Sequence, residues 1–175
     1  MRCELDTWYP PQMKRPDRGR NVTAKEHNLV VKFAKKCLRE ICKKDYELPV
    51  TYQEAVKGLT VRTKFKRQCS YAFASDGAIM IDIWKLRENY RRHEEYARFS
   101  KDPVIGDISD ASPEMTIFAI VAHEVAHHVQ YIYGPKTRWL KNSYQKPHGK
   151  GFQAIYRILR SRVVNHLIIP KEEVA

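Results

Sequence analysis

Residues 117–130 read IFAIVAHEVAHHVQ, and this apolar stretch contains the motif HEVAH at 123–127. Two histidines four residues apart, His123 and His127, project from the same face of an α-helix and can bind one Zn²⁺ together. Glu124, beside the first histidine, is then placed to take a proton from a zinc-bound water. The motif constrains the chain more than any other feature, because it requires a rigid helix beside an open metal position.

The flanking residues indicate where this helix begins and ends. Ser112 is a favoured N-cap residue, Pro113 suits the first helical position, and Glu114 places an acid in the first turn. Gly134 and Pro135 end the apolar pattern. The sequence therefore predicts a buried, well-started helix across the motif, which is a suitable support for a rigid site.

A catalytic zinc usually has three protein ligands and one open position, so a third ligand must lie elsewhere in the chain. The metzincin spacing does not apply, because Tyr133 occupies the position of the third histidine. A thermolysin-like arrangement needs a later glutamate, and no acid occurs between Glu124 and Glu172. Histidines after the motif are therefore the remaining candidates.

Three later histidines are candidates for the third ligand. His128 is adjacent to His127 and points about a quarter-turn away from it, so it cannot easily share the same ion. His166 lies late in an amphipathic helix, where a half-buried or solvated histidine is expected. His148 precedes that helix, after a polar loop that can fold the helix start over the motif. We predict His148 as the third ligand; the alternative is an ordinary loop histidine.

The HEVAHH segment followed by HGKGF at residues 148–152 resembles the SprT-like zinc metallopeptidase family (Spartan/SprT-type). In that family, a second helix with an HGxxF-type signature supplies the third histidine. The resemblance is specific over residues 117–160 and looser upstream. It implies an α+β, zincin-like catalytic domain that cleaves proteins attached to or bound on DNA. Bacterial members often carry a Cys-rich zinc ribbon, and these 175 residues contain no such segment.

Positive charge is concentrated after the motif. The chain has 32 Lys and Arg against 20 Asp and Glu, a net charge of +12, and no acid occurs among residues 129–171. This bias favours DNA as a partner, held through its phosphates without strong sequence choice, although a merely solvated basic surface is the alternative. The expected contacts are Lys136, Arg138, Lys141, Lys146 and Lys150.

The four cysteines have no CxxC spacing and fit neither a zinc ribbon nor a compact disulfide scaffold. The N-terminus does not resemble a signal peptide, and no apolar run approaches about 18 residues. We therefore expect an intracellular protein, cytoplasmic or associated with DNA. The predicted organisation is a flexible basic arm at 1–20, one catalytic domain at 21–168 and a short tail at 169–175.

The remaining elements follow from residue patterning. Thr23 and Glu26 form a capping box that opens a helix reaching about Lys44. Residues 49–84 are predicted as a small antiparallel or mixed sheet, with a hairpin turn at residues 75–77. Residues 86–99 are predicted as a charged surface helix with Tyr90 and Ala97 inward.

The last helix is expected to begin near Gly149. An apolar stripe from Phe152 onward should face the core, while Arg157, Arg160 and Arg162 should face solvent.

These patterns predict a zinc-dependent peptidase in which Glu124 is the general base and returns the proton to the leaving amine. Tyr133 and Tyr144 are candidate donors to the developing oxyanion, and no carboxylate can be assigned behind the histidine ligands. One rival is a repressor-cleaving peptidase of the ImmA/IrrE kind. Another is a non-catalytic DNA-binding module with structural zinc, which would need a fourth ligand. The third is a metallohydrolase that acts on bonds other than peptides.

Overall fold

The structure, a computed structural model, describes residues 21–140 and 146–168, with only the backbone of Trp139 and Ile168. The expected 1–20 arm, the 169–175 tail, Lys141 and Tyr144 lie outside the described residues. The first helix, α1, spans Ala24–Ile41. The Glu26 backbone N–H donates to Thr23 Oγ1 and the Thr23 N–H donates to a Glu26 carboxylate oxygen, so the predicted capping box is confirmed.

The sheet has three strands, β1 (Val61–Lys64), β2 (Tyr71–Ala72) and β3 (Ile79–Asp82), in the order β1-β3-β2. β1 runs parallel to β3, and β2 runs antiparallel to it. The β2–β3 connection contains the predicted hairpin turn, in which the Phe73 N–H donates to the Ala78 carbonyl at 2.8 Å. The prediction of a small mixed sheet is confirmed.

Two predicted elements were wrong. Residues 49–84 are not all sheet, because a short helix, α2, occupies Tyr52–Gly58. Its capping box, formed by Thr51 and Glu54, resembles that of α1 and satisfies the first backbone N–H groups.

Residues 86–99 do not form a helix either. After α3 (Trp84–Arg87), the chain extends and His93 pairs with Ile108 in an isolated bridge. Burial there follows the two-residue period of an extended chain, with His93 and Glu95 inside, whereas Tyr90 and Ala97 are exposed rather than inward.

The core lies around the motif helix, α4, which spans Pro113–Tyr133 and is capped by Ser112 as predicted. α4 packs against α1, the sheet and α5 (Lys150–Leu159), so nearly every side of it is covered. α5 continues through a π-helical turn at Arg160–Val164 into α6 (Asn165–Ile168). This arrangement holds α4 in place from several directions and brings the start of α5 to the motif face.

None of the helices in the described ranges is both long and apolar enough to cross a membrane.

Candidate metal centre

His123 and His127 lie on one face of α4, one turn apart, as the four-residue spacing predicts. Ser112 fixes the start of the helix, since the Met115 N–H donates to Ser112 Oγ at 3.2 Å. Unlike an amphipathic surface helix, which has one polar face, α4 is apolar on most of its surface and is deeply buried. The two imidazoles therefore project from a support that cannot readily shift.

His148 reaches the same point from the residue before the N-cap of α5. Its Nε2 lies 2.9 Å from His123 Nε2 and 3.0 Å from His127 Nε2. Its backbone has φ of +57°, a conformation that non-glycine residues adopt at a cost and that concentrates at functional sites. A glycine would suit this backbone conformation better than a histidine.

Two side-chain amides hold the backbone on either side of His148. Gln130 Nε2, on α4, donates to the Lys146 carbonyl at 2.8 Å, and Gln153 Nε2, on α5, donates to the His148 carbonyl at 3.1 Å. The Arg98 guanidinium approaches the same His148 carbonyl at 3.5 Å. The loop is thus fastened to both helices that frame the site, which fixes where the third imidazole points.

The three side chains can hold a metal ion. One ring nitrogen from each lies within 4.8 Å of the others, and they form the only such trio of potential ligands in residues 21–140 and 146–168. Tetrahedral Zn–N bonds of about 2.0–2.1 Å would separate ligand nitrogens by about 3.3 Å. The separations of 2.9 and 3.0 Å fall within a few tenths of an ångström of that value.

A buried phenylalanine supports all three rings. Phe152 is fully buried, and its ring centroid lies 4.3 Å from that of His127, 4.8 Å from that of His123 and 4.9 Å from that of His148. Phe99 stacks against Phe152, with 6.0 Å between the ring centroids. Phe152, the last residue of the HGKGF segment, therefore packs against all three histidine rings of the candidate site.

Burial opposes the charged form of all three imidazoles, but at His123 the nearby carboxylates of Glu95 and Glu124 outweigh it and raise the pKa. Burial lowers the pKa of His127 well below its usual value, and the neighbouring His123 and His148 lower it further. Burial also lowers the pKa of His148 to about 4, with further lowering by His123 and Arg98. Both rings consequently offer a lone pair at neutral pH.

Glu124 follows the first histidine and is only 6% exposed. Burial raises the pKa of its carboxyl to about 7; the nearby His123 opposes that rise and Glu95 adds to it. A carboxyl with a pKa near the working pH can both take up and release a proton. Its environment therefore suits the role that the motif predicts.

Glu95 is a residue that the sequence did not reveal. It is buried, and its Oε2 lies 3.6 Å from Nδ1 of His123, the ring nitrogen that does not face the other histidines. Its Oε1 contacts His93, Tyr156 and Arg160. Although burial tends to raise the pKa of Glu95, the neighbouring His123 and the hydrogen-bonded His93 hold it well below its usual range. The sequence predicted a charged surface helix here with Tyr90 and Ala97 inward, so it gave no signal that Glu95 is buried.

Other predicted residues occupy different places. His128 is fully buried and its Nδ1 donates to the Gly77 carbonyl at 2.6 Å, so it is turned to the sheet rather than to the trio. His166 is exposed, as expected. The Tyr133 ring contacts His128, whereas Tyr131, which the sequence did not single out, stacks on His127 at 5.5 Å between centroids.

Two of the predicted basic contacts lie close to the trio in the sequence. Lys146 and Lys150 flank His148 on either side. All four predicted contacts within the described ranges are exposed: Lys136, Arg138, Lys146 and Lys150.

The prediction that Arg160 faces solvent was wrong, because it is only 3% exposed and its guanidinium contacts Glu95. A buried guanidinium needs an acid, and this acid comes from a distant part of the chain.

No protein-family model, curated protein or solved structure matches this chain.

Proposed function

We propose that this protein is a zinc-dependent metallopeptidase. The observation that carries the proposal is the convergence of His123, His127 and His148, with buried Glu124 directly beside the first of them. Three histidine ligands with no sulfur are typical of catalytic zinc, in which the fourth position is left for water or substrate. The resemblance of HEVAHH and HGKGF to the SprT-like family favours peptide bonds as the substrate.

Each residue has a separate role in this proposal. The three imidazoles would hold Zn²⁺, and the bound ion would polarise the substrate carbonyl and acidify water. Glu124 takes the proton of the attacking water and delivers it to the leaving amine. Its low exposure keeps bulk water from competing for that proton.

The rival with structural zinc is less well supported. A structural site is usually closed by four protein ligands. The described residues bring together three potential ligands, with no cysteine, aspartate or further histidine in the group. A repressor-cleaving peptidase of the ImmA/IrrE kind would use the same motif, but the HGKGF segment favours the SprT-like alternative.

A peptidase assay on a sensitive unfolded protein substrate tests the proposal. The zinc-loaded wild type should cleave it, and Glu124→Gln should keep the metal while losing at least about 10²-fold in rate, because general-base catalysis contributes roughly 10²–10⁴. Glu114→Gln, which removes an exposed acid from the first turn of the same helix, is the matched control and should retain activity. Equal rates for wild type and Glu124→Gln would refute the proposal.

We further propose that the substrate proteins are associated with DNA. Lys136, Arg138, Lys146 and Lys150 are exposed, and no ion pair in the described ranges joins any of them to an acid. Lys146 and Lys150 flank the proposed third ligand. A phosphate backbone held there would bring DNA-bound protein close to the proposed site, without a need for base recognition.

A salt titration by fluorescence anisotropy tests this partner. Binding should weaken steeply with salt, with a log–log slope of roughly −0.7 to −0.9 for each phosphate contact. Replacing Lys136, Lys146 and Lys150 by glutamine should reduce both affinity and slope. The matched control removes three exposed lysines of α1, namely Lys32, Lys35 and Lys36. If both triple variants bind equally well, this patch is not the DNA contact.

A further inference from the structure

We propose that Glu95 is a positioning residue for the metal site, which holds the His123 ring with Nε2 directed at the ion. This inference rests on the proposed function only in requiring that the three histidines bind a metal. Neither the HEVAH motif nor the HGKGF segment contains Glu95, which lies 28 residues before His123 in the chain.

The geometry of His123 assigns its two ring nitrogens to different partners. Nε2 faces His148 Nε2 at 2.9 Å, whereas Nδ1 faces Glu95 Oε2 at 3.6 Å. An imidazole that binds a metal through one nitrogen carries its proton on the other, and an acceptor there selects the tautomer and the ring orientation. Glu95 is the carboxylate placed on that side of His123.

The Glu95 carboxylate is itself held firmly. Oε1 accepts from Arg160 Nη1 at 3.2 Å and from the Tyr156 hydroxyl, and it lies 3.0 Å from His93 Nε2. The backbone N–H of Glu95 also donates to Asp107 Oδ1 at 2.8 Å. Because Oε1 has these partners, Oε2 remains directed at His123.

Arg160 is anchored in turn by the π-helical turn that follows α5. Its Nε donates to Asn165 Oδ1 at 3.1 Å, and its Nη1 approaches the Gly106 carbonyl at 3.3 Å. Isolated π-helical turns within helices are uncommon and occur frequently at functional sites. Here the turn contributes a buried guanidinium that compensates the Glu95 charge beneath the histidines.

Stability alone is a poor reason for this cluster. Removing the Glu95 and Arg160 charges from water is costly, and apolar side chains of similar volume often serve a core equally well. Glu95 and Arg160 join the segment of residues 88–111 to the helix that begins with α5. A second ion pair already joins the same segment to α5, because Arg157 Nε donates to Asp102 Oδ2 at 3.0 Å. The Arg157–Asp102 pair contacts none of the three histidines in the described residues, so it is the matched control.

The test compares zinc affinity with metal-free stability in Glu95→Gln and Asp102→Asn. Competition against a chromophoric zinc chelator gives the affinity, and thermal unfolding in excess chelator gives the stability. Glu95→Gln keeps the size of the side chain but loses its charge and its obligatory acceptor character, so zinc should bind about 10–100-fold more weakly. Asp102→Asn should change the affinity less than about threefold, although it loosens the same segment.

Several results would overturn the proposal. Wild-type zinc affinity in Glu95→Gln would do so while the proposed function stood, and so would an equal loss in both variants. A wild type that binds no zinc at micromolar concentration would instead refute the proposed function. If Glu95→Gln does not fold, Glu95→Asp replaces it. The shorter carboxylate should then fold and lose zinc affinity at least threefold, and unchanged affinity would count against the positioning role.

Discussion

Phe152→Ala should weaken the fold and the metal site together. Phe152 is fully buried and lies 4.3–4.9 Å, between ring centroids, from each of the three proposed ligands. A buried phenylalanine removes about 200 Å² from water, which at about 25 cal/mol per Å² contributes up to about 5 kcal/mol. Observed losses for Phe→Ala in cores are about 3–5 kcal/mol, so we expect about 4 kcal/mol. That is a large part of a typical total stability of about 5–15 kcal/mol.

Urea unfolding with chelator and then with zinc separates the two effects. Zinc bound to the folded state adds an increment of unfolding free energy that depends on its dissociation constant. The matched control is Phe33→Ala, which removes a buried ring that stacks on Phe118 at 4.0 Å between centroids. Phe33→Ala should cost similar stability and keep the zinc increment, whereas Phe152→Ala should lose part of it. Equal zinc increments in both variants would refute the supporting role of Phe152.

Three further predictions concern other parts of the molecule. His148→Ala should lose most of the bound zinc, because it removes one of the three proposed ligands. His166 is exposed, so His166→Ala should retain the zinc. Metal analysis that gave the reverse result would overturn the ligand assignment. Hydrogen bonds from Arg87 lower the pKa of Glu26 from 4.5 to about 2, so the pair stabilises the fold above pH 4.5 and loses that contribution as pH falls towards 2. Glu26→Gln should therefore remove about 2 kcal/mol at pH 7 and flatten the acid limb in denaturation curves; an unchanged limb would contradict this. Gly77→Ala should destabilise by about 2–4 kcal/mol, because φ is +66° and a Cβ would lie 2.5 Å from a side chain of α4. Thermal unfolding checks this, and a stability within 0.5 kcal/mol (about the size of a neutral surface change) would contradict it.

The parts of the fold that the sequence predicted are those fixed by local chemistry. The cap at Thr23 and the cap at Ser112 each satisfy N–H groups within their own first turn, so the starts of α1 and α4 are readable from a few residues. The hairpin turn before β3 is similarly local, since Gly77 supplies a positive φ. For the same reason, the pair His123 and His127 followed from spacing on one helix.

The errors occur where distant residues decide the structure. Residues 86–99 carry enough charge and helix-forming residues to favour a surface helix, but His93 and Glu95 are drawn inward by a bridge to Ile108 and by Arg160. The helix at Tyr52–Gly58 was missed for a different reason. Its Thr51–Glu54 capping box is visible in the sequence, but the surrounding β-forming residues obscured it.

The identity of His148 as the proposed third ligand was predictable from the sequence, but the contacts that position it were not. His148 was predicted from the elimination of other candidates and from the HGKGF resemblance. Its positive φ, the amides of Gln130 and Gln153 that fasten its loop, and the carboxylate behind His123 depend on tertiary contacts between separate elements. A sequence pattern can identify ligand residues, but the groups that orient them carry no fixed spacing.

Zinc K-edge X-ray absorption on the reconstituted protein reports directly on the proposed ligands. We expect one zinc per chain with three imidazole nitrogens from His123, His127 and His148 at about 2.0–2.1 Å and one further light ligand from solvent. In His148→Ala, the imidazole signal should fall to two. Sulfur ligands at about 2.3 Å, or a wild-type spectrum unchanged in His148→Ala, would contradict the proposed three-histidine site.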